Sequence, residues 1–244
     1  MTTNEPFYYI TKEWYKGGSP AFYENSEYPL THILEEHADM IVNEVISFYT
    51  NNGSKTKNNF VPYNLDTSGW QTLVLYSGGV INKENLQYLP KTWELLKDYP
   101  GLSLLMVSVL KPGTRLSAHF GDTDAIVRNH LGVLIPEPYP AIGLRIKNEE
   151  RGWEVGKVLS FCVVNRHYAW NYTNKARIIL MVDFVKPEFI HRKQEIEGKI
   201  LAAEAMKLFA TKIPITKKLP NAVVYFLHGI LGRLANIYVR LFKQ

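Results

Sequence analysis

Behind Thr31 the apolar residues Ile33, Leu34, Met40, Ile41, Val45 and Phe48 recur in near-helical steps, and Asn51-Asn52-Gly53 ends the recurrence. Such steps put side chains on one stripe, so the spacing predicts a single amphipathic helix that packs on a core. In the aromatic and polar stretch before it, Gly17-Gly18-Ser19-Pro20 reads as a turn. After it, residues 51–59 read as a polar loop, Trp70–Ser77 as a strand, and Lys91–Tyr99 as a short helix stopped by Pro100-Gly101.

From Leu104 the pattern changes to short segments rich in Val, Ile, Leu and Tyr. Leu104–Leu110, His130–Ile135, Ile142–Lys147, Lys157–Val164 and Arg177–Phe184 read as strands, with turns at Lys111-Pro112-Gly113 and Pro136–Pro140. The spacing predicts a mostly β chain with flanking helices on one face. Its core is then a double-stranded β-helix, the jelly roll of cupin type. Gln194–Ile213 predicts a further amphipathic helix, and a basic hinge containing Pro214 and Pro220 separates it from a last one. Residues 1–190 are therefore expected to form the β-rich domain with its N-terminal helical part, and 191–244 a basic helical appendage. No internal repeat or low-complexity segment interrupts this order.

Charge adds one feature. The net charge is +5, but no acidic residue follows Glu204, whereas Lys207, Lys212, Lys217, Lys218, Arg233, Arg240 and Lys243 all do. The uncharged run between Lys218 and Arg233 is shorter than the roughly 20 residues that cross a bilayer. Across 222–242, Val223, Phe226, Leu227, Ile230, Leu234, Ile237 and Leu241 fall at helical spacing. Two readings fit: peripheral contact with a membrane surface, or packing on the domain or on a second copy. No nucleic-acid motif accompanies the cations, so nucleic acid is not expected as a partner. The single cysteine, Cys162, excludes an intramolecular disulfide framework, and no cationic start with an apolar run precedes Tyr8. Both suit a reducing, cytoplasmic setting, with the inner face of a membrane as the peripheral alternative.

The chemistry gathers in the β-rich part. His119-Phe120-Gly121 is followed by His130, then His167, with Arg177 ten residues beyond. Two histidines and an arginine in this arrangement describe a non-haem iron site with a clamp for a dicarboxylate. Strand alternation turns Arg177 toward the same face as Ile179 and Met181, where a ligand carboxylate would partner it; a strand-end arginine facing solvent is the other reading. Arg128 and His130 share a face by the same rule.

With Arg128-Asn129-His130-Leu131-Gly132, Gly143-Leu144-Arg145 and Asn148-Glu149-Glu150-Arg151-Gly152-Trp153, the pattern resembles the aspartyl/asparaginyl β-hydroxylase family of iron(II)/2-oxoglutarate dioxygenases. The resemblance runs roughly from Tyr23 to Phe189 and is densest after Ser108. It implies an enzyme, a hydroxylase, in which His119 and His167 hold iron(II). Arg177 and Ser108 would bind the far carboxylate of 2-oxoglutarate, and Arg128 and His130 would contact its metal-chelating end. Dioxygen would be the second co-substrate. Most of the wider superfamily has a carboxylate two residues after the first histidine; this family, like this chain at Gly121, has glycine. Trp153, Gly156, Lys157, Trp170 and Asn171 also match and read as scaffold.

Two departures bear on the substrate. An arginine that helps hold an acidic side chain in the animal peptidyl enzymes is replaced by Ile126. The family's usual Phe-Asp-Asp before the second histidine is Phe161-Cys162-Val163, which leaves fewer acids to orient the metal's neighbours. Asp122 and Asp124 read as residues of a solvated loop. The resemblance implies hydroxylation of an unactivated carbon, with a peptidyl Asp or Asn or a membrane-lipid acyl chain as substrate. An inactive relative serving as a binding or scaffold protein is the alternative, supported by Cys162 and Val163.

Overall fold

The computed structural model describes residues 5–11, 15–59, 69–213, 216 and 218–242. Alternating side chains on its longer strands divide two antiparallel sheets and a helical layer. The major sheet runs β1 (Lys57–Asn58), β2 (Trp70–Ser77), β4 (Leu102–Leu110), β11 (Arg177–Val185), β6 (Ile126–Leu134) and β9 (Val158–Cys162), with β3 (Val80–Ile81) beside β2. The minor sheet runs β5 (Thr114–Arg115), β10 (His167–Asn171), β7 (Ile142–Ile146) and β8 (Glu149–Arg151). From β4 onward the chain passes repeatedly between the sheets, as a jelly roll requires. The fold is a double-stranded β-helix with flanking helices.

All nine residues of β11 are buried, because it lies at the centre of the major sheet with both faces covered. Its even-numbered side chains, Ile178, Leu180, Val182 and Phe184, join an outer apolar cluster with Leu73, Leu105, Val107, Leu131 and helical Leu34, Ile41 and Val45. Its odd-numbered side chains face the space between the sheets, where Ile179 and Met181 meet Met106, Ile142, Leu144 and Ala169. One strand thus serves the helical layer and the inter-sheet space in alternate residues.

The helical layer comprises α1 (Pro29–Glu36), α2 (Ala38–Asn52), α3 (Lys83–Leu86) and α4 (Pro90–Leu96). The single helix expected behind Thr31 is therefore two. His37 breaks it, with φ −101° and ψ 15°, and its Nδ1 bonds the carbonyl of Ile33 at 3.0 Å. The apolar stripe continues across the break, which is why spacing alone reads as one helix. The expected loop at 51–59 contains the end of α2 and the short edge strand β1, whose Lys57 and Asn58 pair with Thr72 and Gln71. β6 starts at Ile126, not His130, and β3, β5, β8 and β10 are strands that the spacing did not reveal.

The chain ends in a helical hairpin of α5 (Lys193–Lys212) and α6 (Asn221–Phe242), packed along each other. Of the expected basic hinge and tail, Pro214, Lys217 and Lys243 lie outside the described residues.

Candidate active site

His119 and His167 are direct neighbours across an isolated antiparallel bridge, each backbone N–H donating to the other's carbonyl at 2.9 Å. Their ring centroids lie 4.2 Å apart. Each ring is fixed from behind by a carbonyl two residues earlier: His119 Nδ1 bonds Ser117 O at 2.9 Å and His167 Nδ1 bonds Asn165 O at 2.8 Å. Since a carbonyl only accepts, both Nδ1 atoms carry the proton and both Nε2 atoms keep a lone pair. Burial lowers the pKa of His119 and lowers that of His167 well below the usual imidazole value, with the neighbouring ring adding to the effect on His167. Two neutral imidazoles with free Nε2 lone pairs suit a borderline metal such as iron(II).

Among the described residues no carboxylate joins the two histidines, and the packing at Gly121 accounts for the absence at that position. Gly121 N–H donates to Val163 O at 2.8 Å. A Cβ on Gly121 would come 2.6 Å from Val163 Cβ and 2.9 Å from that carbonyl oxygen. An aspartate there has no room. Among the described residues, no group of three or more His, Cys, Asp or Glu is placed to hold a metal. His119 and His167 are what the described residues could offer a metal at this place.

Across the inter-sheet space, the major sheet presents Ser108, Arg128, His130, Arg177 and Asp183. Arg177 is buried, and the described residues offer its Nε no hydrogen-bond partner. One Nη reaches Ser108 O at a long 3.5 Å, and the guanidinium lies 4.6 Å above the Trp153 ring. Desolvation, unopposed by any carboxylate, lowers its pKa to about 9. A buried cation in this state calls for an anion, and the described residues do not provide one. The Ser108 hydroxyl accepts from Trp70 Nε1 at 2.9 Å, which fixes its oxygen on the sheet face that carries Arg177.

Arg128 is held differently. Its Nε and Nη2 donate to the two oxygens of Asp183 at 2.8 and 2.6 Å, a bidentate pair that raises the arginine's pKa against the opposing effect of desolvation. The expected contact of Arg128 with a co-substrate must therefore share the guanidinium with Asp183. His130, one step along the same face, has no hydrogen-bond partner on either ring nitrogen among the described residues. It stacks on Trp153 at 5.9 Å and meets Phe161 edge-on at 4.9 Å. Burial and the nearby Arg128 and Arg177 lower its pKa well below the usual value, so the ring is neutral.

Three expectations are corrected. Trp153 is not scaffold alone, since it touches both Arg177 and His130. Asp122 and Asp124 are not in a solvated loop: Asp122 pairs with Lys207 of α5, and Asp124 accepts the Phe7 N–H at 2.8 Å. Cys162 sits in the outer apolar cluster, so an acid there would not face the histidines directly. Asp183 and Phe161 were missed as site residues. Trp170 and Asn171 are scaffold as expected, bonding the carbonyls of Pro140 and Leu110.

A family model described as aspartyl/asparaginyl beta-hydroxylase matches residues 33–187. The chain belongs to this family. Over 118 residues it is 41% identical to an ornithine lipid ester-linked acyl 2-hydroxylase of Rhizobium tropici, a match covering 48% of this chain and 42% of that protein. Over 142 residues it is 34% identical to the human aspartyl/asparaginyl beta-hydroxylase, covering 55% of this chain and 18% of that one. The chain thus spans less than half of each relative. Among solved structures, a Pseudomonas putida prolyl-4-hydroxylase aligns with TM-score 0.42 and 15% identity, over 64% of this chain and 98% of that one. In the family's terms, the matched residues 33–187 contain the histidines, arginines and serine of the inter-sheet space but stop short of the helical hairpin.

Proposed function

We propose that this chain is an iron(II)- and 2-oxoglutarate-dependent hydroxylase acting on a lipid acyl chain. The observation that carries the first half is Arg177: a buried guanidinium with no carboxylate partner among the described residues, across the inter-sheet space from two histidines whose Nε2 atoms those residues also leave free. A dicarboxylate that chelates a metal at one end and ion-pairs at the other satisfies both ends at once.

Bound iron(II) with 2-oxoglutarate would supply dioxygen activation, coupled to release of succinate and carbon dioxide. The protein's part is binding, orientation and exclusion of water. His119 and His167 hold the metal through Nε2, with rings already aimed by the Ser117 and Asn165 carbonyls. Arg177 receives the far carboxylate, beside the Ser108 oxygen. His130, neutral and unpartnered, is free to donate one hydrogen bond to the chelating end, and Arg128 can add another while Asp183 holds it in place. Trp153 and Phe161 wall this end of the cavity and keep the polar contacts in a low dielectric, where they are stronger.

Ile126 supports the acyl substrate. It is buried on the inner face, two residues before Arg128, where a guanidinium would favour an acidic side chain. The Rhizobium relative, named as an acyl 2-hydroxylase, supports the same choice. Succinate release, measured with Fe(II), 2-oxoglutarate and either bacterial lipid extract or acidic-residue peptides, tests it. Turnover should depend on lipid and vanish in His119→Ala and His167→Ala proteins. Turnover driven by peptide overturns the acyl half. Failure to bind either Fe(II) or 2-oxoglutarate overturns the enzyme reading and favours a scaffold.

A further inference from the structure

Helix α6 is built inside out. Its side toward α5 carries small and polar residues beside the half-buried Val224, Leu231 and Val239. His228 is buried with Nε2 bonded to Lys199 O at 2.8 Å, and Gly232 and Asn236 lie so close to α5 that a Cβ on Gly198 would come 2.6 Å from Gly232 O and 2.2 Å from Asn236 Oδ1. The opposite side carries the large apolar residues: Phe226 is 67% exposed, Leu234 55%, Ile237 53% and Leu241 71%. Near the connection between the helices, Phe209 and Ile213 of the α5 end are exposed too, at 57% and 46%. An ordinary helix on a soluble domain has the reverse arrangement, and a contiguous exposed patch of this kind marks a contact surface.

Charge selects the partner. Lys212, Lys218, Arg233 and Arg240 are exposed around this face, and no acidic residue follows Glu204. Pairing the face with a second copy would set Arg233 and Arg240 among like charges, with no carboxylate from residues 205–244 to neutralise them. An anionic surface neutralises all of them. By length and composition Asn221–Leu241 is apolar enough to cross a membrane, with mean hydropathy 1.4. Its buried His228 side, however, is packed on α5, which bears Glu195, Lys199 and Glu204, so crossing would require stripping α6 from its partner helix.

We propose that the exposed face of α6, with the adjoining end of α5, docks the protein in the plane of an anionic lipid bilayer. The apolar side chains enter the acyl boundary and the cations meet the headgroups. The docking surface is tied to the candidate active site. Lys207 of α5 bridges Glu204 and Asp122, and Asp122 lies three residues after His119, so the hairpin and the loop bearing that histidine are clamped together. Docking does not rest on the acyl-substrate reading and is testable without turnover.

The experiment is co-sedimentation of the full chain with vesicles of phosphatidylcholine alone or mixed with phosphatidylglycerol, with no metal or co-substrate present. The chain should pellet with the mixed vesicles, stay in solution with the neutral ones, and be released by raised salt. The Phe226→Ser/Leu234→Ser/Ile237→Ser protein should lose at least tenfold in partitioning while keeping its far-ultraviolet circular dichroism. Should that variant misfold, Arg233→Glu/Arg240→Glu leaves the apolar face intact and should weaken binding to mixed vesicles by roughly tenfold or more. No pelleting of the unaltered chain overturns the proposal, as does binding that neither variant reduces. A solution dimer that the serine variant splits, without vesicle binding, assigns the face to a second copy instead.

Discussion

The two faces of the major sheet are made by alternate residues of the same strands, yet they obey different rules. On the outer face, Leu73, Leu105, Val107, Leu131, Ile178, Leu180 and Val182 meet the helices in an apolar layer in which burial alone matters. On the inner face the same strands carry Ser108, His130, Arg177 and Asp183, all buried, and Arg128, mostly so, and only some of them are partnered. Burying apolar area stabilises at about 25 cal/mol per Å². Burying an unpartnered cation costs free energy. The outer face offsets what the inner face costs, and the unmet part of that cost is the signature of a ligand site. Within the inner face the contrast sharpens: Arg128 is paired with Asp183, whereas no described residue gives Arg177 a carboxylate.

Removing Asp183 should erase the difference between the two arginines and give the largest effect on stability. Asp183→Ala strands Arg128 as a second unpaired buried cation, and denaturant unfolding should show a loss of about 3–5 kcal/mol. Arg177→Met should act oppositely on stability and severely on binding. Thermal unfolding of the ligand-free protein should show a gain of roughly 1 kcal/mol from removing the uncompensated charge. Calorimetry should show 2-oxoglutarate affinity lower by about 30-fold or more. An unchanged affinity would place the clamp elsewhere. On the outer face, Ile178→Val, one residue from Arg177, should cost only about 0.5–1.5 kcal/mol and leave co-substrate affinity unchanged.

The smallest effect is on pH dependence. Burial lowers the pKa values of His119, His130 and His167 in the folded state, so between those values and the ordinary imidazole pKa of about 6.5 the unfolded chain binds more protons than the folded one. The stability contribution is complete above that ordinary value and declines as the pH falls below it. Substituting His130 by Phe should flatten the decline in urea titrations between pH 7 and 5 (about the window set by the unfolded pKa).

Much of this was legible in the residues. The strand Trp70–Ser77 was legible as an apolar run, and the inward register of Arg177 follows from alternation, because successive side chains of a strand point to opposite faces whatever covers them. β10, His-Tyr-Ala-Trp-Asn, did not stand out, since its pattern depends on what covers each face and not on apolar alternation. Asp183 was within reach: the rule that set Arg177 beside Met181 also sets Asp183 on that face, and a lone acid in an otherwise apolar strand needs a partner. Its partner, Arg128, is 55 positions away, and nothing local specifies that pairing. Trp153 lies outside any strand, so no period indicated its direction. The break at His37 was hidden because both helices present one continuous stripe.

The close contact between Gly121 and the 163 backbone also limits how the site can change over evolutionary time. A carboxylate at 121 would collide with the Val163 side chain, which one substitution could trim, and with its carbonyl oxygen, which no substitution at 163 removes. For the metal site proposed above, one substitution at 121 therefore does not supply a third ligand. The main chain at 163 would have to move before a carboxylate at 121 fits, so the arrangement resists that change from two positions at once.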